Sequence, residues 1–190
     1  MERRHETANP MMNARPTGGE PSSGLALPSE VEEVFREFRT CEFSTMTRSG
    51  VPVSWPLIAQ WRPEEGCFVL TTSIGMPIKA FNIWRDPKVS LLFSDPTASG
   101  MQEPPAVLVQ GDAEVADEIH PGTSGMEDYW ERIFRIQPGG AIYSSNFLTR
   151  SLMDVYYMRL HIYVRPRRVL WWPDGDFENT PREVEAGNVG

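Results

Sequence analysis

Residues 156–165 read Tyr-Tyr-Met-Arg-Leu-His-Ile-Tyr-Val-Arg. Tyr156, Met158, Leu160, Ile162 and Val164 alternate with Tyr157, Arg159, His161, Tyr163 and Arg165. A period of two marks a strand with one buried face. The opposite face is polar and aromatic, so it meets solvent, a ligand or a partner rather than a second apolar layer. Pro166-Arg167 then predicts a turn into a further strand, Arg168 to Trp172.

The same pattern recurs upstream. Glu42 to Arg48 alternates, and Ser49-Gly50 is a hairpin signal. Val51 to Trp61 reads as one strand with Val51, Val53, Trp55, Leu57, Ala59 and Trp61 on one face. Pro52 and Pro56 share the other parity, so both missing N–H groups fall on one edge, which is incompletely paired. That edge is either a plain sheet margin or a margin that faces a ligand. Further strands are predicted at Cys67 to Ser73, Lys88 to Phe93 and Ala106 to Asp117, with Gly111 as a bulge. Helices fall between them. Val31, Val34, Phe35 and Phe38 make an apolar stripe behind a capping box at Ser29 and Glu32, ending near Thr40. Pro77 to Arg85 and Ser124 to Ile136 are predicted helices, and Ser94 to Pro105 and Gln137 to Asn146 are loops suited to a pocket mouth. The sum is a mainly β, α+β chain: an antiparallel barrel with peripheral helices.

Composition bounds the possibilities. At 190 residues the chain suits one domain, spanning 27–173, and its 17 Pro, 6 Trp and 11% aromatic content fit short strands better than a bundle. Residues 1–26, rich in Pro, Gly, Ser, Asn and Arg, predict a disordered leader, and 174–190 an acidic, frayed tail. Lys and Arg number 18 against 26 Asp and Glu, a net charge of -8 that argues against nucleic acid as partner. A small anion needs only two or three local donors, so it stays open. No apolar run long enough for a membrane span and no secretory signal core are present, and the expected setting is cytoplasmic. Cys41 and Cys67 have no C-x-x-C partner, and His5, His120 and His161 lack ligand spacing, so no metal site is expected. Neither G-x-S-x-G nor a Walker loop occurs; redox chemistry would need a borrowed cofactor.

Thr71 to Val89 reads T-T-S-I-G-M-P-I-K-A-F-N-I-W-R-D-P-K-V. A strand ends in three hydroxyl side chains, crosses Gly75 and enters a helix bearing Lys79. Hydroxyls, helix-start N–H groups and one Lys compose a compact anion site. The same residues also suit a capped helix with a solvated Lys.

With Val107 to Val115 (V-L-V-Q-G-D-A-E-V) and Arg168 to Pro173 (R-V-L-W-W-P), this segment resembles the pyridoxamine 5'-phosphate oxidase-like group of split-barrel flavoproteins, in consistent order from about Leu27 to Pro173. Ile78-Lys79-Ala80-Phe81-Asn82 falls on that group's R-K-A-x-N, and Arg85-Asp86-Pro87-Lys88-Val89 on its R-D-P-R-V. The resemblance implies a six-stranded antiparallel split β-barrel of the FMN-binding type, working as a homodimer with cofactor at the subunit interface. It implies FMN or, in one branch, F420, transferring hydride to or from a small-molecule substrate. The ring would lie against Ser54, Trp55, Pro56, Leu57 and Ile58, and the phosphate near Thr71, Thr72, Ser73 and Lys79. Asn82 matches the motif's last residue, and Trp171 and Trp172 would close the site from the partner subunit. Ile78 departs from the motif, leaving one arm of the clamp to be supplied by Arg48, Arg85 or Arg159. No residue is marked as catalytic, although His161 and Tyr163 suit proton donors as well as a dimer surface. Trp55, Trp61, Trp84 and Trp130 suit core or interface packing. A non-catalytic carrier or sensor of flavin or haem on the same barrel is the competing expectation.

Overall fold

The computed structural model describes residues 27–121, 131 and 158–184. The expected leader, the helix at Ser124 to Ile136, the loop at Gln137 to Asn146, and Tyr156 and Tyr157 lie outside or almost wholly outside them. α1 (Ser29–Glu37) precedes β1 (Cys41–Met46), β2 (Pro52–Leu57), β3 (Gln60–Arg62) and β4 (Cys67–Ser73). α2 (Ile78–Arg85), β5 (Lys88–Phe93), a 3-10 turn (Pro96–Ala98), β6 (Ala106–Pro121), β7 (Met158–Trp172) and β8 (Arg182–Glu183) follow. All strands join one antiparallel sheet in the order β2-β1-β5-β6-β7-β4-β3, with β8 on β7. No helix among the described residues is long and apolar enough to cross a membrane.

Where the sequence predicts one strand from Val51 to Trp61, the backbone divides at Ile58-Ala59 into β2 and β3, which lie at opposite ends of the sheet path. Two linking residues span about 10 Å at most, so the ends of the sheet approach each other at that corner. The alternation survives the bend: Leu57, Ala59 and Trp61 all meet the main core. Phe35 of α1 anchors that core, 4.7 Å from Phe68 and 5.2 Å from Phe93 between ring centroids.

Four local expectations are corrected. Helix α1 begins at Ser29 itself after Pro28, with no side-chain cap, because the Ser29 hydroxyl donates to Glu30. β6 does not stop at Asp117 but runs on to Pro121. Pro166-Arg167 is no turn: β7 is continuous, and the register step from Gly111↔Pro166 to Gln110↔Arg168 makes Arg167 the extra residue of a bulge. A bulge tolerates a proline without N–H as a turn does, so sequence alone reads either. Residues 173–184 fold back rather than fray, with Arg182 and Glu183 pairing Trp171 and Leu170. Gly111 is the expected bulge glycine; a Cβ there would collide with the Arg165 carbonyl oxygen.

Candidate functional site

β4 is buried on both faces, and its alternation sorts the predicted hydroxyls. Phe68 and Leu70 enter the main core, whereas Cys67 and Val69 join Ile58 in a second cluster covered by Tyr163. Thr71 and Ser73 share the second face, and Thr72 points to the core side, where its hydroxyl donates to the Met76 carbonyl at 3.0 Å. The structure therefore brings only two of the three hydroxyls to one face of β4, and both residues are buried. Ser73 Oγ accepts the Gly75 N–H at 3.1 Å, and the Ser73 carbonyl accepts from Met76, shaping the turn into α2.

Lys79 emerges from the first turn of α2, half-buried, with Nζ 4.9 Å from the Trp55 ring centroid on β2. Burial lowers its pKa, and the nearby Arg159 charge lowers it further. Arg159 sits directly opposite Ser73 in the β4–β7 register, as His161 sits opposite Thr71. The loop at Val51 fixes the orientation of β2: its carbonyl accepts from Thr47 of the β1 side. By alternation the backbone groups of Val53 and Trp55 face β1, and those of Pro52, Ser54 and Pro56 face the open margin. That margin carries one N–H, from Ser54, among carbonyl acceptors. Val53, Trp55 and Leu57 are half-buried, and Ser54 is exposed although its hydroxyl meets that of Ser44 at 2.7 Å. Ile58 is buried within the second cluster.

The remaining predicted residues are placed elsewhere. Asn82 is 3% exposed; it donates to the Thr45 hydroxyl at 2.8 Å and accepts from Arg85, so it ties α2 to β1. Trp171 is buried in the main core beneath Arg182. Trp172 packs on Phe177 at 4.8 Å, and its indole N–H donates to the Asn179 carbonyl at 2.9 Å. Both tryptophans lie at the opposite end of β7 from Arg159, so within one chain they close nothing over Lys79. Trp84 is exposed, and Trp61 contacts the core. Half of the Ser94 to Pro105 segment is exposed, but Ala98 and Met101 pin it to the core and the Ala98 carbonyl accepts the Arg39 N–H.

One feature carried no sequence signal beyond two isolated histidines. β6 reaches far enough to stack His120 on His161, with ring centroids 4.1 Å apart and planes 7° from parallel. His161 is 3% exposed. Burial first, then the neighbouring His120, holds its pKa down to about 4. It is therefore buried within the chain rather than offered to solvent. Burial also pushes the Cys67 thiol up to about 11 and raises Tyr163, which leaves both protonated. Among the described residues no group of three or more His, Cys, Asp or Glu could hold a metal. A separate cleft of about 590 Å³ on the β1-β5-β6 side, lined by Ser44, Pro52, Lys88, Gln110, Asp112 and Arg167, does not include Lys79. Arg167 and Arg168 beside it are ion-paired to Asp112 and Glu183.

A mainly β, antiparallel fold is shared with solved proteins. An F420 reductase superposes with a TM-score of 0.52 at 20% identity, over 75% of this chain and 98% of that one. A protein from Clostridium acetobutylicum related to general stress protein 26, of the pyridoxinephosphate oxidase family, gives 0.52 at 10% identity, over 81% and 90%. A haem-binding protein from Mycobacterium smegmatis gives 0.51 at 18%, over 85% of this chain and 60% of that one. No protein-family profile and no curated protein sequence matches the chain. The fold is that of the pyridoxamine 5'-phosphate oxidase-like proteins, as the sequence resemblance implies.

Proposed function

We propose that the chain is a flavin-type oxidoreductase, binding FMN or, as the second choice, F420, and passing hydride to or from a small organic molecule. One observation carries the reading: Lys79 stands over the Trp55 ring. Two segments identified separately, the proline-bearing strand and the hydroxyl-to-lysine turn, thus meet at one place. The donor set fits a phosphorylated planar ring. Lys79, Ser73 and Thr71 would hold the phosphate, and the open margin of β2 at Ser54 to Leu57 would receive the ring. The cofactor supplies the hydride chemistry when bound. The chain's residues bind, orient and exclude water, and no side chain need act as a nucleophile.

With β2 and β3 counted as one bent strand, the six long strands form a split barrel. The functional unit is a homodimer: Ile78, Phe81 and Trp84, which are 61%, 50% and 53% exposed, line an uncovered face of α2 next to Lys79. The partner subunit's copy of the last strand would bring Trp172 toward the site, whereas Trp171 is buried in its own core. Two free, buried cysteines suit a reducing cytoplasmic setting. Titration of the purified protein with FMN and with F420, followed by reduction with NAD(P)H, tests the proposal. Tight binding with turnover supports it, and failure to bind either cofactor sinks it.

A second reading is a carrier or sensor without turnover. It is favoured by the burial of His161, which is 3% exposed and held neutral, so it is not offered to a substrate as a proton donor. A haem-binding protein shares the fold. Binding without reduction would select it.

A further inference from the structure

The cleft of about 590 Å³ on the β1-β5-β6 side leaves out Lys79 and takes no part in the function proposed above. We propose that it is a second binding site, for a small zwitterion of the amino-acid class, with the ligand's carboxylate on Lys88, Ser90 and Gln110 and its ammonium on Asp86. The volume is that of a small-molecule site, and the floor is three adjacent strands whose backbone pairing holds the lining residues in place.

The strand register explains why a cation stands open there. Lys88 faces Asp112 directly across β5 and β6, and opposite charges so placed ordinarily pair across the strands. Here the extra residue of the β7 bulge, Arg167, takes Asp112 instead, and the neighbouring Arg168 is held by Glu183 at 2.8 Å. Both guanidinium groups are thereby neutralised, and the Lys88 ammonium is left without a partner among the described residues. Ser90 shares the Lys88 face of β5, and Gln110 lies opposite Ser90 on β6. Neither side chain has a hydrogen-bond partner among the described residues. An ammonium, a hydroxyl and a carboxamide on one face supply donors for both oxygens of a carboxylate.

Asp86 supplies the opposite charge. One of its oxygens accepts the Lys88 backbone N–H at 3.1 Å, which directs the group, and the other has no partner among the described residues. Asp86 and Lys88 line the same cleft two residues apart, yet form no ion pair with each other. A plain anion would be repelled by Asp86 and a plain cation by Lys88, whereas a molecule bearing both charges satisfies the two. Met46 and Pro52 line the β1–β2 side and give its side chain an apolar seat.

Titration calorimetry of the full chain with L-leucine, 4-methylpentanoate and 3-methylbutylamine tests the site, because the last two each lack one of leucine's charges. L-leucine should bind, and each analogue should bind about tenfold to a hundredfold more weakly, the range for losing a charged hydrogen bond. Lys88→Gln should erase the difference between L-leucine and the amine, and Asp86→Asn the difference between L-leucine and the acid. Arg167→Ala frees Asp112 to pair with Lys88, so it should weaken L-leucine binding as Lys88→Gln does. Adding Asp112→Ala to it should restore the wild-type affinity, and that restoration also separates the effect from a folding defect. No binding of L-leucine at millimolar concentration overturns the proposal, as does an affinity that Lys88→Gln and Asp86→Asn leave unchanged. Equal or tighter binding of 4-methylpentanoate overturns the zwitterion in favour of a plain carboxylate. FMN and F420 titrations of Lys88→Gln should match wild type, so failure at this cleft leaves the flavin reading standing; a loss of flavin affinity in that variant overturns the separateness of the two sites.

Discussion

Lys79 combines a helix-start position, a half-buried ammonium and a tryptophan ring beneath it. Lys79→Ala should weaken a phosphorylated cofactor by about 1 to 3 kcal/mol, read by titration; unchanged affinity would place the phosphate elsewhere. Asn82 carries a different load. Its amide joins Thr45 to Arg85 inside the chain, so Asn82→Ala should cost about 1 to 3 kcal/mol of stability in urea unfolding. A variant as stable as wild type would contradict that bracing role. His161 makes stability depend on pH. Its folded pKa, about 4, lies below its ordinary 6.5, so the unfolded chain binds the extra proton. This contribution is complete above the ordinary value and is lost as pH falls from there toward 4. His161→Phe should flatten the urea midpoint over that window, and equal slopes in the two proteins would refute it. Lys79 was legible in the sequence because a hydroxyl run, a glycine and a helix start precede it. The histidine stack was not, because His120 and His161 become neighbours only through the pairing of β6 with β7.

Strand alternation was the most readable element signal. β4 and β5 fall where the pattern puts them, since both are short and bounded by turn residues. The break between β2 and β3 was hidden because the bend at Ile58-Ala59 keeps alternate residues on the core side. Thr72 was grouped with its neighbours for want of the face assignment that only the two clusters on β4 provide. Gly111 marked its bulge, while Pro166-Arg167 on the facing strand passed for a turn. Gly111→Ala would drive a methyl into the Arg165 carbonyl. It should destabilise the fold by roughly 2 kcal/mol or more, as forced backbone shifts do. Thermal unfolding reads this, and a midpoint equal to that of wild type would show that the two strands can part at little cost.

For the whole molecule, the net charge of -8 fits a site that depends on local cations rather than on bulk charge. The exposed stripe of Ile78, Phe81 and Trp84 is the surface a second copy would cover. Trp84→Glu should shift sedimentation from dimer to monomer; a wild type that sediments as a monomer contradicts the homodimer. The proposed partner contribution rests on the resemblance, since one chain's sequence places Trp171 and Trp172 on a strand but not beside another subunit. The proposed function places a phosphorylated flavin-type cofactor between Trp55 and Lys79. Its most direct measurement is the absorbance spectrum of the natively purified protein, with mass spectrometry of what it releases on denaturation and titration of the emptied chain with FMN and F420. A yellow chromophore identified as FMN or F420, or stoichiometric rebinding of one of them, is the expected result. A colourless protein that takes up neither would contradict it.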